Sequence, residues 1–177
     1  KEDTLTKGNW TGKYGSKGYL LCNYDDSLKH RMRLPDDVKS VDFFKNDHVV
    51  WLNSSHVHWT GATEDIRALV SDSGEKQRSL GAVTTRDPNP CYQTMTVDIT
   101  CEKAHKISLY FVDWERAGRR SAIEIFDLEN KKLLMPVYMV RDYENGKYIS
   151  FNIDRPVRIR IDQVRGKNAA LSGIFFD

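Results

Sequence analysis

Cysteine is scarce in this chain: Cys22, Cys91 and Cys101 are the only three in 177 residues. An odd number cannot pair completely, and no C-x-x-C spacing marks zinc or dithiol chemistry. Cys91 and Cys101 bracket YQTMTVDIT, which reads as one extended strand. At about 3.3 Å per residue its ends stand too far apart for a disulfide, so free and mostly buried thiols are expected. Long apolar runs are missing too. None approaches the roughly 18 residues of a membrane-spanning helix, and no insertion in a bilayer is expected. Charge of one sign is also lacking, with 27 Lys and Arg against 25 Asp and Glu. Without a basic amphipathic helix or a recognisable motif, a nucleic-acid partner is not expected either. The hydrolase signatures G-x-S-x-G and H-E-x-x-H do not occur. There is no internal repeat or low-complexity segment. An initiator Met and an apolar leader are absent before Lys1, and the chain is read as one domain cut from a larger protein.

What is present centres on His105 to Arg120, HKISLYFVDWERAGRR. Ile107, Leu109 and Phe111 alternate with Ser108 and Tyr110, the period-2 pattern of a strand with one buried and one partly polar face. That strand runs into Asp113, Trp114, Glu115, Arg116, Gly118, Arg119 and Arg120. Such a cluster at a strand end reads as a ligand site, or equally as a corner in which Trp114 packs and Asp113 pairs with Arg119.

From the N-terminus, Gly8 to Tyr19 spaces four glycines among Trp10, Tyr14 and Tyr19, a tightly turning loop that carries aromatic rings. It lacks the flanking strand and helix of a phosphate loop, so it is either an aromatic lid over the core or a sugar-stacking surface. A strand follows over Tyr19 to Tyr24. Asp25 and Asp26 come next, weak candidates for a structural calcium ion, with a solvated turn as the alternative. Pro35 and two acids ahead of VKSVDFF predict the one short helix. His48 to Asn53 and His56 to Thr60 read as strands, with His56 and His58 on one face and at least one of Trp51 and Trp59 in the core. Two imidazoles without a third ligand read as surface histidines rather than a metal site. Ile66 to Val70 and Gly81 to Thr85 are further strands, interrupted by a polar Ser71–Ser79 loop and by Asp87-Pro88-Asn89-Pro90.

Strand patterns dominate from Cys91 onward: Ser121 to Asp127, Leu133 to Val140, Tyr148 to Ile153, VRIRIDQV from Val157, and an apolar Ala169 to Phe176 that is read as central. Asn145-Gly146 is the pair that most readily turns a tight hairpin. Short strands with turn signals between them indicate an all-β antiparallel sandwich of jelly-roll type with at most one short helix.

With these segments in place, Gly8-Asn9-Trp10 with Tyr14-Gly15 and Gly18-Tyr19, then Tyr110 with Asp113-Trp114 and Gly118-Arg119, then Asn168-Ala169 with Ser172-Gly173 carry a resemblance. The chain resembles the jelly-roll accessory modules, similar to galactose-binding-like and carbohydrate-binding domains, of bacterial glycoside hydrolases and polysaccharide lyases. The resemblance runs from about Gly8 to Phe176. It implies an extracytoplasmic module that accompanies a catalytic domain of the parent enzyme, with sugar bound on end loops or on a concave sheet and with calcium sometimes nearby. No cofactor is otherwise expected.

A carbohydrate-binding module needs aromatic faces for the pyranose ring and fixed polar groups for its hydroxyls. Trp10, Tyr14, Trp59 and Trp114 supply candidate faces, and Arg67, Glu115, Arg116, Arg119 and Asn168 candidate bonds to a polysaccharide or oligosaccharide. The Arg fork would suit an acidic sugar. Arg155, Arg158, Arg160 and Arg165 make a basic strand that reads first as a solvated face. The rival is a bracing domain, marked by an exposed apolar patch instead of an aromatic groove. Catalysis is not expected: Asp113 and Glu115 stand about 6.5 to 7 Å apart in an extended segment, but catalytic acids usually face each other from separate elements.

Overall fold

The computed structural model describes residues 1–44, 54–73, 77–85 and 93–177. The expected strand at 48–53, Trp51, the proline-rich break at 87–90 and Cys91 lie outside them. The described residues form strands and turns and no helix. In order the strands are β1 (Glu2–Asp3), β2 (Gly18–Leu21), β3 (Arg31–Arg33), β4 (Val38–Phe43), β5 (Ser54–Thr63), β6 (Leu69–Val70), β7 (Arg78–Thr85) and β8 (Thr94–Cys101). They continue as β9 (His105–Phe111), β10 (Arg120–Asp127), β11 (Tyr138–Val140), β12 (Lys147–Ile153), β13 (Val157–Arg165), β14 (Ala170–Leu171) and β15 (Gly173–Phe176).

Among the described residues all strand pairings are antiparallel. One sheet runs β1-β12-β9-β15-β2-β3, a second β11-β10-β13-β8-β4, and a third β14-β7-β5 with β6 on β7. The first two face each other across the main core, where Ile107, Leu109, Phe111 and Ile174 meet Val97, Ile99, Ile125 and Ile159. The expected β-sandwich is therefore the fold. Short apolar alternation supplies the inner faces, as it must when water covers the outer ones.

Several expectations change. The short helix after Pro35 is a strand: the Val38 amide closes a single turn on the Pro35 carbonyl at 3.0 Å, and β4 then pairs along β8. Val38, Val41 and Phe43 suit a pleated surface, and edge pairing with β8 outweighs the helix-start signal at Pro35. Asn145-Gly146 turns the chain between two sheets and not within a hairpin, since β11 lies in the second sheet and β12 in the first. Gly146 has φ +88°, and a Cβ there would stand 2.2 Å from the Tyr110 hydroxyl. Regular pairing in two expected strands is limited to Leu69–Val70 and Tyr138–Val140. The Ala169–Phe176 segment breaks at Ser172 and passes from the third sheet to the first.

The largest departure concerns β9, which is buried on both faces. Its outward Tyr110 joins Trp10, Tyr14, Tyr19, Tyr148 and Phe175 in a second core on the outside of the first sheet. The glycine-rich N-terminal loop is the lid over that core. Trp10 donates its Nε1–H to the Val70 carbonyl at 2.9 Å, and Tyr14 stacks on Tyr148 with ring centres 4.2 Å apart. Cys22 and Cys101 are free and buried. Burial pushes the Cys22 thiol up to about 12, so it is an inert core residue.

Candidate functional site

The residues after β9 form a corner fastened by one arginine. Asp113 accepts the Ala117 amide at 3.0 Å and the Arg119 amide at 3.1 Å, which folds the chain back within a few residues. Arg116 at φ 54° and Gly118 at φ 69° make the reversal. Arg119 then buries its guanidinium beside Asp113, both side chains 1% exposed. Its Nη1 donates to Asp113 at 2.5 Å, its Nη2 to Glu115 at 2.5 Å and its Nε to the Asn168 side-chain oxygen at 2.8 Å. Asn168 passes the connection to the Thr85 carbonyl at 3.2 Å. The loop bearing Asn168 comes this close because of Gly166: at φ +85° a Cβ there would stand 2.7 Å from the Arg119 Cα. One guanidinium thereby ties the ends of β9, β7 and β13 together.

Both carboxylates of this corner stay ionised. Burial pushes Asp113 upward, but the Arg119 and Ala117 amides and the Arg119 guanidinium outweigh it and hold the group below the usual range. The Arg119 hydrogen bond likewise holds Glu115 down. A pair of catalytic carboxyls needs one member held protonated, and here a single cation lowers both.

Two tryptophans flank the corner. Trp59 lies in β5, an edge strand whose register against β7 shifts between His58 and Thr60. The Arg119 guanidinium carbon stands 5.8 Å from the Trp59 ring centre, and that of Arg67 stands 4.4 Å from the Trp114 ring centre. Arg67 is itself held by Asp65 at 2.7 Å and by the Glu144 carbonyl at 3.1 Å. Arg67, and more remotely Arg116, keep the Asp65 carboxyl below its usual value. Both indoles are partly exposed, whereas Trp10 is 4% and Tyr14 7% exposed, with their faces taken up by the second core.

Two clefts meet at Trp59. The smaller, about 360 Å³, is lined by Ser55, Val57, Thr84, Glu115, Arg119 and Asn168 beside the indole. The larger, about 620 Å³, is lined by Tyr24, Asp25, Asp26, His58, Gly61 and Gln77 together with Trp59. Of the nine expected ligand-binding residues, Trp59, Glu115, Arg119 and Asn168 converge on the smaller cleft. Arg67 and Trp114 form the neighbouring pair, and Arg116 lies exposed on the same turn. Trp10 and Tyr14 stand apart in the lid, where they border a different groove with Lys13, Arg33 and Lys106. Ser55, Thr84 and Lys167 were not anticipated. Only the sheet pairing of β5 with β7 brings Ser55 and Thr84 together, and no local pattern marks it.

Asp25 and Asp26, the candidates for calcium, lie in the turn between β2 and β3. Asp25 is exposed and accepts the Ser27 amide at 3.0 Å within its own turn. Among the described residues no group of three His, Cys, Asp or Glu side chains is placed to hold a metal ion. His56 and His58 do share a face, and both turn toward Asn23, at 3.0 Å each. The basic strand read as a solvated face keeps Arg155, Arg160 and Arg165 exposed but buries Arg158. Arg158 is buried against Asp98 at 2.7 Å, Arg160 meets Asp162 at 3.0 Å, and Arg155 meets Asp154 at 2.8 Å.

No protein-family profile and no curated protein matches this chain. Solved structures similar to it include the enzymatically active domain of tailspike protein 4 from bacteriophage CBA120, at 8% identity and a TM-score of 0.42. That match covers 80% of this chain and 19% of the tailspike chain. A family 35 carbohydrate-binding module from Clostridium thermocellum is similar at 10% identity and a TM-score of 0.36, covering 69% of this chain and 97% of the module. An exo-β-1,3-galactanase from Phanerochaete chrysosporium, solved with galactose, is similar at 15% identity and a TM-score of 0.32, covering 85% of this chain and 31% of its own. Likenesses this distant leave the function to be read from the site itself.

Proposed function

We propose that the chain is a non-catalytic carbohydrate-binding module of an extracytoplasmic glycan-degrading protein, and that it takes sugar at Trp59. The observation that supports this most is the partly exposed indole in a cleft whose polar groups are already fixed. Arg119 orients Glu115 and Asn168, so a sugar hydroxyl meets acceptors that lose little freedom on binding. The ring supplies the apolar face that a pyranose stacks on. The lowered carboxyls of Asp113 and Glu115 argue against a glycosidase pair at this place.

The test is calorimetric titration of the chain with a panel of plant and algal polysaccharides, beside Trp59→Ala. Binding to at least one glycan, reduced at least roughly tenfold in a variant with unchanged thermal stability, is the expected result. A second reading, a bracing domain docked on a catalytic neighbour, is favoured by one feature. The β10–β11 connection exposes Leu133 at 47%, Leu134 at 42% and Val137 at 49%, a run of apolar side chains suited to an interface. Absence of binding to every glycan would favour it.

A further inference from the structure

The smaller cleft lies on one face of β5. Ser55, Val57 and Trp59 line it, while His56 and His58 turn the opposite way, toward Asn23. The rest of its lining comes from the corner, with Glu115 and Arg119, from Thr84 of β7, and from Lys167 and Asn168 ahead of β14. Arg119 and Lys167 are balanced by Asp113 and Glu115. The cleft therefore selects by hydrogen bonding more than by the charge of its ligand.

Most polar groups here are committed to one another. The three nitrogens of Arg119 donate to Asp113, Glu115 and Asn168. Asn168 spends its oxygen on Arg119 and its nitrogen on the Thr85 carbonyl, and the Thr84 hydroxyl donates to the Ser55 carbonyl at 3.3 Å. Glu115 differs. Each of its oxygens accepts one bond, Oε2 from Arg119 at 2.5 Å and Oε1 from Lys167 at 3.3 Å, whereas an ionised carboxylate offers about four acceptor sites. One site on each oxygen is left over, on a side chain that is 37% exposed. Because the two cations hold opposite oxygens, they also fix the plane of the carboxylate.

Two acceptor sites on one fixed group match two adjacent donors, as when a carboxylate takes an Arg fork. On a pyranose the adjacent donors are neighbouring ring hydroxyls. We infer that Glu115 is the specificity-determining residue of the cleft, and that it accepts both hydroxyls of a vicinal diol on the sugar at Trp59. This rests on the glycan-binding reading above and adds to it which sugars qualify: those with two neighbouring ring hydroxyls free of linkage and substituent.

The test follows, by ligand-observed NMR titration, the binding of the methyl glycosides of xylose, glucose, galactose and mannose and of their single-position deoxy derivatives, to the chain and to Glu115→Gln. The expected result is at least one parent sugar for which deleting either of two neighbouring hydroxyls weakens binding about tenfold, while deleting the others does not. Glu115→Gln keeps the shape but turns one acceptor oxygen into a donor. It brings the parent down to the level of those two analogues and binds all three alike. Should Glu115→Gln fold poorly, the deoxy pattern of the unaltered chain decides alone. A loss spread over non-adjacent hydroxyls, or a folded variant that keeps the difference, would overturn this inference and leave glycan binding intact. So would binding of a polysaccharide with no methyl glycoside bound, since two bonds to one ring require that single sugar to be recognised. Failure of every glycoside and every polysaccharide to bind would overturn both.

Discussion

Arg119 carries the corner at the level of single residues. It is 3% exposed in a protein where most arginines sit at the surface, and its charge is balanced by a carboxylate buried as deeply. Such a pair adds little over apolar packing, but losing one partner leaves the other charge stranded. Asp113→Ala is accordingly expected to cost about 3–5 kcal/mol in urea unfolding. A loss below about 1 kcal/mol would mean that the corner does not depend on the pair. The sequence held both readings of this stretch, ligand site and structural corner, and the structure joins them. Asp113 and Arg119 are the fastening, while Glu115 and Asn168, fastened by the same guanidinium, face the cleft. Nothing in the order of residues could show that Asn168 would reach Arg119, because that contact depends on Gly166 and on a loop 49 positions away.

Among the elements, the turn after β2 has an unusual tether to β5. Asn23 is fully buried at φ 45°. Its amide donates to His30 Nδ1 at 3.1 Å, its side-chain nitrogen donates to the Ala82 carbonyl at 2.6 Å, and its two oxygens meet His56 and His58. His30 packs against Phe43 and His56, with ring centres 5.3 and 5.9 Å away. Burial, and then the neighbouring His56, hold His30 below its usual value. The unfolded chain therefore takes up this proton first as pH falls, and stability is lost from about pH 6.5 downward. The lowered Asp113, Glu115 and Asp65 add a separate loss below about pH 4, where the unfolded carboxyls begin to protonate. Thermal unfolding followed from pH 7.5 to 5.5 should show a falling midpoint that His30→Gln makes flatter. Parallel curves for the two proteins would contradict the assignment to His30. The strands themselves were legible from period-2 alternation, down to Ile107, Leu109 and Phe111 facing the main core. The helix at VKSVDFF was misread because local start signals at Pro35 say nothing of the unpaired edge of β8. The lid was legible as one of two alternatives, and the pairing of Tyr14 with Tyr148 selects it.

For the whole molecule, the covering of the first sheet on both sides separates the aromatic residues of the core from Trp59. The outer face is covered by Trp10, Tyr14 and Tyr19, so the aromatic residues most prominent in the sequence serve as core, and the proposed sugar contact falls to Trp59 on the edge strand β5. That division is the central claim, and tryptophan indole resonances read it directly. In a proton–nitrogen spectrum with the Trp59 signal assigned through Trp59→Phe, titration with a bound glycan is predicted to shift the Trp59 indole and leave that of Trp10, bonded to the Val70 carbonyl, in place. A Trp59 signal unmoved by every glycan, or a Trp10 signal that moves in its stead, would contradict the account.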